Sequence, residues 1–396
     1  MSKNIDPKQL MQELSVEALC QTAEDYYARL HNHTSHMAKP FTSTKEAPDL
    51  LYNMGLLLSG LHLGKSMVVL DFGAGTCWFS RLLNQMQCVT ISVDPSPTAL
   101  EIGRKLFEVS PIVGQSLHPP RFLHFDGYTI NLENESVDRI ISFSAFHHVP
   151  NQEQVLKEFY RVLKPGGIVG FSEPGRNHSQ SPQSQFEMRH FTVLENDILL
   201  EEIKAITEKL GFSEMRIKLV TSHTDDLSYR DYRKIIWWRW LSRRVWRQII
   251  PAMQNNTVFF LTKGTYQQDS RSHEGLRHSI TILQHDKTAS VGQPYHITVR
   301  LKNSGQSKWL HQNIADIGVV KVGVHLHDHR GQLLNLDFAR SRLLEDVPPG
   351  AVVDNQFQVL FTQPGNYQLT VDLVAEQVTW FEGIGSQPQK LSVQVT

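Results

Sequence analysis

The stretch Val68-Val69-Leu70-Asp71-Phe72-Gly73-Ala74-Gly75-Thr76 decides the fold of the first part of this chain. A short apolar run is typical of a buried parallel strand, and the glycine-rich turn behind it predicts a helix that begins directly afterwards. Glycines let the backbone approach a ligand closely, and a helix N-terminus favours negative charge. A dinucleotide fingerprint needs a third glycine where this chain has Trp78, which argues against a pyrophosphate site.

Around this stretch, short apolar runs alternate with helical patterns. Strands separated by helices predict a parallel sheet with helical crossovers, that is, a Rossmann-like α/β domain. We predict seven strands, at Met67–Phe72, Cys88–Val93, Arg121–Phe125, Asp138–Ser144, Gly167–Ser172, Glu214–Val220 and Thr257–Lys263.

The pattern along the chain predicts four segments. Residues 1–50 form an N-terminal helical segment that serves as a lid, and residues 51–264 form the α/β domain. The polar residues 265–278 predict a linker. Short alternating strands between turn residues predict a separate all-β sandwich over residues 279–396.

Composition narrows the class of protein. Of the 396 residues, 40% are hydrophobic and 20% charged, which is enough for packed cores. The formal net charge of −1 excludes a globally basic nucleic-acid binder, and we expect no nucleic-acid partner. Three cysteines make no disulfide framework, and we see neither a secretory signal pattern nor an apolar span. These features predict a cytoplasmic protein.

Acidic residues end the first three predicted strands. Asp71 suits a positively charged ligand group, and Asp94 lies where a ribose-diol acceptor belongs. Asp126, followed by Gly127, could accept a hydrogen bond from an adenine amine. Because the carboxyl ends of parallel strands meet at one edge of the sheet, we expect the three carboxylates to line one crevice.

Five features in order resemble the class I S-adenosylmethionine-dependent methyltransferases over about residues 51–264. They are the D-x-G-x-G turn, Asp94, Asp126-Gly127, the strand and turn at 138–148, and Leu163-Lys-Pro-Gly-Gly167. The resemblance implies a seven-stranded sheet whose last strand is antiparallel, and S-adenosyl-L-methionine as the cofactor. The cofactor-binding residues that we predict are Asp71, Gly73, Gly75, Asp94, Pro95, Asp126, Gly127, Ser144 and Phe146.

Histidines follow the fourth predicted strand, where methyl transfer should take place. An alcohol acceptor needs a general base, so His147 or His148 is the predicted base, with Glu173 at the end of the neighbouring strand orienting the ring. A His-His pair here also resembles sugar O-methyltransferases of natural-product pathways. His178 is a second base candidate. The alternative that either histidine only caps a backbone group stays open.

A long polar segment, residues 173–190, leaves the fifth strand over the expected site and predicts substrate contacts. Trp78, Arg176, Glu187 and His190 are the candidates. Glu187 and His190 would share a helix face, which permits a metal, but no third ligand is evident. We therefore predict no metal site.

The sequence HNHTSH at residues 31–36 places three histidines close together. A metal site is one interpretation of this spacing. We favour a polar segment of the lid.

Residues 230–250 predict a basic, tryptophan-rich helix. One face carries Ile235, Trp238, Leu241, Val245, Trp246 and Ile249, and most arginines lie opposite. We favour a helix that covers the sheet between the sixth and seventh strands. The alternative is an interfacial helix that gives the protein a peripheral membrane contact, or one that binds an anionic glycan.

Residues 279–396 resemble immunoglobulin-like accessory domains of bacterial glycan enzymes, including the carbohydrate-binding domain of O-antigen exporters. Trp309 and Trp380 could stack on sugars, or they could be core residues. Together, the resemblances imply an O-methyltransferase acting on a sugar hydroxyl of a glycan or glycoside. Two alternatives stay open: a small-molecule O- or N-methyltransferase that forms a homo-oligomer through the sandwich, and a non-catalytic carbohydrate-binding protein.

Overall fold

The computed structural model describes residues 4–109, 118–221, 226, 228–238 and 243–396. The chain forms two compact units: Met1–Leu63 with Met67–Tyr266, and Gly64–Ser66 with Gln267–Thr396.

The first unit contains a seven-stranded sheet. Its strands are β1 (Val68–Phe72), β2 (Val89–Asp94), β3 (Arg121–His124), β4 (Val137–Phe143), β5 (Leu163–Pro174), β6 (Glu214–Ile217) and β7 (Asn256–Thr262). They lie in the order β3-β2-β1-β4-β5-β7-β6. Neighbours among β1 to β5 pair in parallel, and β7 is antiparallel to both β5 and β6. The predicted strand count and the antiparallel last strand are confirmed.

Helices surround this sheet because both of its faces are apolar. They are α1 (Pro7–Glu13), α2 (Val16–Arg29), α3 (Thr34–Met37), α4 (Ala47–Leu61), α5 (Trp78–Gln85), α6 (Pro97–Val109), α7 (Gln152–Val162), α8 (Pro182–Phe191), α9 (Leu200–Leu210), α10 (Tyr229–Trp238) and α11 (Arg243–Asn255). Neighbours in β1 point to opposite faces: Leu70 packs in one cluster with Phe159, and Val69 in another with Leu57. Burial on both faces explains why β1 is apolar throughout.

The single helix predicted over residues 230–250 is two helices, α10 and α11, and residues 239–242 between them lie outside the described residues. Of the predicted apolar face, Ile249 is buried and Ile235 half-buried, but Trp246 is exposed. Trp238, Leu241 and Val245 have side chains outside the described set. None of the helices in the described ranges combines the length and the apolar character that crossing a bilayer requires.

The second unit is built from strands. They are β8 (His278–His285), β9 (Thr288–Ala289), β10 (Pro294–Asn303), β11 (Val320–Asp328), β12 (Leu333–Arg342), β13 (Val352–Leu360), β14 (Gly365–Ala375), β15 (Thr379–Trp380) and β16 (Gln389–Val395). One sheet has the order β13-β10-β8, and the other has the order β12-β11-β14-β16-β9 with β15 paired to β14. Apolar residues of both sheets meet in one core cluster.

The segment predicted as a linker, residues 265–278, is packed for most of its length. Asp269 and Ser270 are buried, and the Ser270 hydroxyl donates a hydrogen bond to the carbonyl of Gly318. Asp269 also forms a β-bridge with Lys308. These contacts make residues 267–278 part of the second unit.

The two candidate sugar-stacking tryptophans are not open platforms. Trp309 is fully buried in the core of the second unit. Trp380 is half-buried, with the Arg340 guanidinium 4.2 Å and the His325 ring 4.1 Å from its ring centroid. The core interpretation is therefore right for Trp309, and Trp380 already has stacking partners.

Candidate active site

The turn after β1 is held against the end of β2 by its own backbone. The N–H groups of Gly73 and Ala74 donate hydrogen bonds to the Val93 carbonyl, at 2.8 and 3.1 Å. Gly73 (φ +67°) and Gly75 (φ +51°) have left-handed backbones, which favour glycine. A Cβ atom on Gly73 would lie 2.3 Å from the Ala145 Cβ, and one on Gly75 would lie 2.7 Å from the Tyr27 hydroxyl oxygen. The two glycines therefore allow Ala145 and Tyr27 to pack directly against the turn.

Asp94 lies beside this turn with an oriented carboxylate. Its oxygens accept hydrogen bonds from the N–H groups of Gly75 and Ser96, each at 2.8 Å. Burial raises the pKa of Asp94 to about 6, although these two N–H donors favour the ionised form. A carboxylate has about four acceptor sites, so acceptor capacity remains for a ligand.

A cavity of about 410 Å³ extends from this turn. Six of the nine predicted cofactor-binding residues line it: Gly73, Gly75, Asp94, Pro95, Gly127 and Ser144. The N-terminal helices supply much of the opposite wall, through Leu19, Cys20, Thr22, Ala23, Tyr26, Tyr27, His36 and Lys39. A larger and more open groove of about 950 Å³ beside α1 contains none of the glycines or strand-end carboxylates of this site.

Three predicted cofactor-binding residues do not line the cavity. Asp71 is buried and accepts a hydrogen bond from the Ser80 hydroxyl at 2.7 Å, and burial raises its pKa to about 7. Asp126 accepts hydrogen bonds within its own turn, from the N–H groups of residues 128 and 129 and from the Thr129 hydroxyl. Phe146 packs in the core against Phe171. The structure thus places these three residues outside the cavity wall, and their predicted role in cofactor binding stays a prediction.

Glu173 organises the turn after β4 and forms the predicted pair with a histidine. One oxygen accepts hydrogen bonds from the Ser142 hydroxyl at 2.8 Å and from two backbone N–H groups. The other lies 2.8 Å from Nδ1 of His147. Burial alone would raise the pKa of Glu173, but the bonds from His147 and the backbone outweigh it and hold the pKa below its ordinary value. His147 itself is buried and does not line the cavity.

His148 is the imidazole that lines the cavity. Its Nδ1 lies 2.6 Å from the Leu194 carbonyl, which can only accept, so Nδ1 carries the proton and Nε2 keeps its lone pair. Partial burial and the neighbouring His147 lower the pKa of His148 below its ordinary value, so the ring is neutral at pH 7. Of the two predicted bases, Glu173 therefore orients His147, and a backbone carbonyl holds His148.

Glu195, in the loop after α8, was missed in the sequence. It lines the cavity, and one oxygen lies 2.6 Å from Nε2 of His178 and 3.9 Å from Nε2 of His147. Its other oxygen lies 3.6 Å from Nδ1 of His148. Burial alone would raise the pKa of Glu195, but the bond from His178 and the nearby histidines hold the pKa below its ordinary value. No motif marks this residue, because only folding brings it to the histidines.

Of the predicted substrate-binding residues, Glu187 lines the cavity. Trp78 does not, because it packs in the core against Phe143. Arg176 pairs with Glu201 outside the cavity. His190 is exposed and packs against Phe186. The polar segment thus brings one of its three candidates, Glu187, to the cavity, whereas Arg176, His190 and the separate candidate Trp78 lie elsewhere.

Comparison with known proteins adds family information to this geometry. Residues 70–171 match the family described as methyltransferase domain. An uncharacterized methyltransferase of Oceanobacillus iheyensis is 27% identical over 155 residues, which cover 36% of this chain and 68% of that protein. The arsenite methyltransferase of Homo sapiens is 29% identical over 200 residues, which cover 47% of this chain and 50% of that protein.

The chain has also been compared with solved structures. Phosphoethanolamine N-methyltransferase 2 of Haemonchus contortus, in complex with S-adenosyl-L-methionine, is 17% identical with a TM-score of 0.44. That alignment covers 62% of this chain and 60% of that chain. The present chain thus spans about half to two thirds of the length of these relatives.

Proposed function

Because this chain carries a class I S-adenosylmethionine-dependent methyltransferase domain, we propose that it methylates a hydroxyl group of a sugar, in a glycan or a glycoside. The observation that carries this proposal is the neutral His148 imidazole in the cavity wall, next to the buried Glu195. An alcohol needs such a proton acceptor, whereas thiols and amines need little beyond alignment.

The residues of the cavity fit the cofactor. Two acceptor sites of the Asp94 carboxylate are occupied by backbone N–H groups, and the others are available to the two hydroxyls of a ribose. Gly73 and Gly75 line the cavity themselves, so a ligand can approach the backbone of the turn. The bound cofactor supplies an electrophilic sulfonium methyl group and leaves with the electron pair of the broken bond.

The chain itself positions the acceptor and takes its proton. The Leu194 carbonyl fixes the tautomer of His148, so that Nε2 is the acceptor nitrogen. Glu195 lies within 3.6 Å of the same ring, where its negative charge would stabilise the imidazolium that forms. Glu173 and His147 lie behind this pair and hold the turn after β4 in place.

Two features support a sugar as the acceptor. The cavity wall near His148 includes polar side chains, Gln183, Glu187 and Glu195, which can accept or donate hydrogen bonds to several hydroxyls. The second unit consists of two sheets around one core, an architecture consistent with the immunoglobulin-like accessory domain that its sequence resembles.

A methyl-transfer assay on a panel of sugar, phenol and amine acceptors tests this function. Changing His148→Ala should lower kcat on a sugar acceptor by about a hundredfold or more, with cofactor affinity nearly unchanged. His190→Ala, an imidazole outside the cavity, is the matched control and should leave kcat unchanged. Undiminished turnover in His148→Ala, or transfer to amines alone, would contradict the proposal.

We also propose that the protein is cytoplasmic and makes a peripheral contact with an anionic membrane through α10. Four of its large side chains are half or more exposed: Tyr229 (74%), Tyr232 (50%), Ile236 (56%) and Trp237 (78%). Exposed basic side chains lie beside them: Arg230, Arg233 and Lys234. An exposed helix face with both aromatic and cationic side chains suits the interface of an anionic bilayer.

A further inference from the structure

Two carboxylates, Glu173 and Glu195, are buried close to the same histidines. Their side chains are 0% and 9% exposed. Among the residues that the structure describes, neither carboxylate forms an ion pair with a lysine or an arginine. Burying two anions is costly unless a cation or strong hydrogen bonds compensate them. Their ion-pair partners here are imidazoles, whose positive charge depends on protonation.

Three potential metal-ligand atoms converge at this point. One ligand atom of each of three residues, His147, His178 and Glu195, lies within 4.8 Å of the other two. The Oε2 atom of Glu195 lies 2.6 Å from Nε2 of His178 and 3.9 Å from Nε2 of His147. Metal–ligand bonds of about 2.0–2.2 Å in tetrahedral geometry place ligand atoms about 3.3–3.6 Å apart, so completing a site requires side-chain rotations that move Glu195 away from His178 and towards His147.

The partner of His147 is the one that a metal-bound imidazole requires. Its Nδ1 lies 2.8 Å from the Glu173 carboxylate, which fixes the proton on Nδ1 and leaves the Nε2 lone pair for a ligand. A carboxylate behind a metal-bound histidine is a recurring arrangement in metalloproteins. The ligands come from the turns after β4 and β5 and from the loop after α8, so the folded chain assembles the site.

We infer that His147, His178 and Glu195 bind a divalent transition-metal ion, for which Zn²⁺ is the appropriate probe. Two imidazole nitrogens and one carboxylate oxygen are a ligand set typical of Zn²⁺ sites that keep an open coordination position. The dication would balance the two buried carboxylates. The inference goes beyond the proposed function, because it rests on these ligands and not on the acceptor.

The inferred metal site can be tested by measuring metal binding to the untagged full chain, with no cofactor or acceptor present. After chelator treatment and dialysis, titration with ZnCl₂ followed by elemental analysis should show one tightly bound equivalent and a raised melting temperature. Glu195→Gln and His178→Ala should each weaken this binding by about a hundredfold or more, and Glu173→Gln by about ten- to a hundredfold. His190→Ala, which leaves all three ligands in place, should bind as the wild type does.

A second control separates this site from the histidines of the N-terminal segment. The double variant His31→Ala/His33→Ala should keep its bound equivalent, because these residues lie outside the described ligand group. Absence of saturable binding to the wild-type chain would overturn the inference whatever the variants do. The inference would also be overturned if folded Glu195→Gln kept its bound zinc equivalent, or if the His31→Ala/His33→Ala chain lost it. Methyl transfer by metal-free protein would leave the proposed function standing.

Discussion

Replacing Asp94 with alanine removes the carboxylate that we expect to bind the ribose hydroxyls of the cofactor. Two of its acceptor sites are used by the N–H groups of Gly75 and Ser96, which leaves two for the ligand. A hydrogen bond to a charged group contributes about 1.5–3 kcal/mol. Losing two should cost about 3 kcal/mol or more, which raises Kd by about a hundredfold. Isothermal titration calorimetry with S-adenosylmethionine measures this directly.

The pKa of Asp94 gives the same experiment a second readout. The value of about 6 means that the ionised, hydroxyl-accepting form is lost as the pH falls through 6. At pH 5 about one tenth of the carboxylate is ionised, so Kd should be about tenfold higher than at pH 8. Asp94→Ala should lose this pH dependence.

The fold should survive the change. A carboxyl group whose pKa is raised on folding from 3.8 to about 6 is destabilising when ionised at neutral pH. Its removal relieves that cost but also leaves the N–H groups of Gly75 and Ser96 without their acceptor, so the melting temperature should fall by a few degrees while the chain stays folded. Asp126→Asn, at a carboxylate that does not line the cavity, is the matched control and should bind the cofactor within about threefold of wild type. Cofactor affinity within a few-fold of wild type in Asp94→Ala would refute the reasoning.

Two further predictions concern the glycine turn and the exposed helix. Gly73→Ala should lower both cofactor affinity and melting temperature, because the new Cβ would lie 2.3 Å from the Cβ of Ala145. Adding Ala145→Gly should restore part of the affinity and part of the melting temperature in a thermal-shift assay. If neither is restored, the cause is not steric. The double variant Ile236→Ser/Trp237→Ser should reduce co-sedimentation with phosphatidylserine vesicles by about tenfold at low salt. The control Leu344→Ser, at a side chain of the second unit that is 91% exposed, should not reduce it. Equal binding by the wild type and both variants, or equal binding to neutral vesicles, would exclude α10 as the membrane contact.

Local patterns were sufficient for most of the first unit. The β1 stretch is apolar at successive positions because helices cover both faces of the sheet. A continuous apolar run in the sequence therefore predicts this strand. No alternating apolar pattern marks strand β12 in the sequence, because all of its side chains are exposed or half-buried. The linker was predicted from polar residues, but Asp269 and Ser270 satisfy their polar groups within the second unit. Polarity alone cannot distinguish an exposed linker from a packed segment whose polar groups are hydrogen-bonded.

The candidate site also combines residues that the local sequence predicts with residues that only folding brings together. Gly73, Gly75 and Asp94 could be predicted, since a strand, a turn and a helix start are consecutive in the chain and fix their own geometry. The sequence could not show what the Asp126 carboxylate contacts, because an Asp before a turn can serve either a ligand or its own backbone, and here it accepts hydrogen bonds from its own turn. Glu195 had no local signal at all.

The sequence by itself determined the seven-strand α/β domain, its glycine turn and the position of Asp94, because each depends on residues close together in the chain. Only the tertiary structure decided which histidine meets the cavity. His147 and His148 are adjacent, and one pairs with Glu173 while the other is held by the Leu194 carbonyl. It also brought Glu195 to His178, and placed Tyr27 from an N-terminal helix opposite Gly75. The physical reason is that these contacts join segments far apart in sequence, and such pairings are fixed by packing rather than by local propensity.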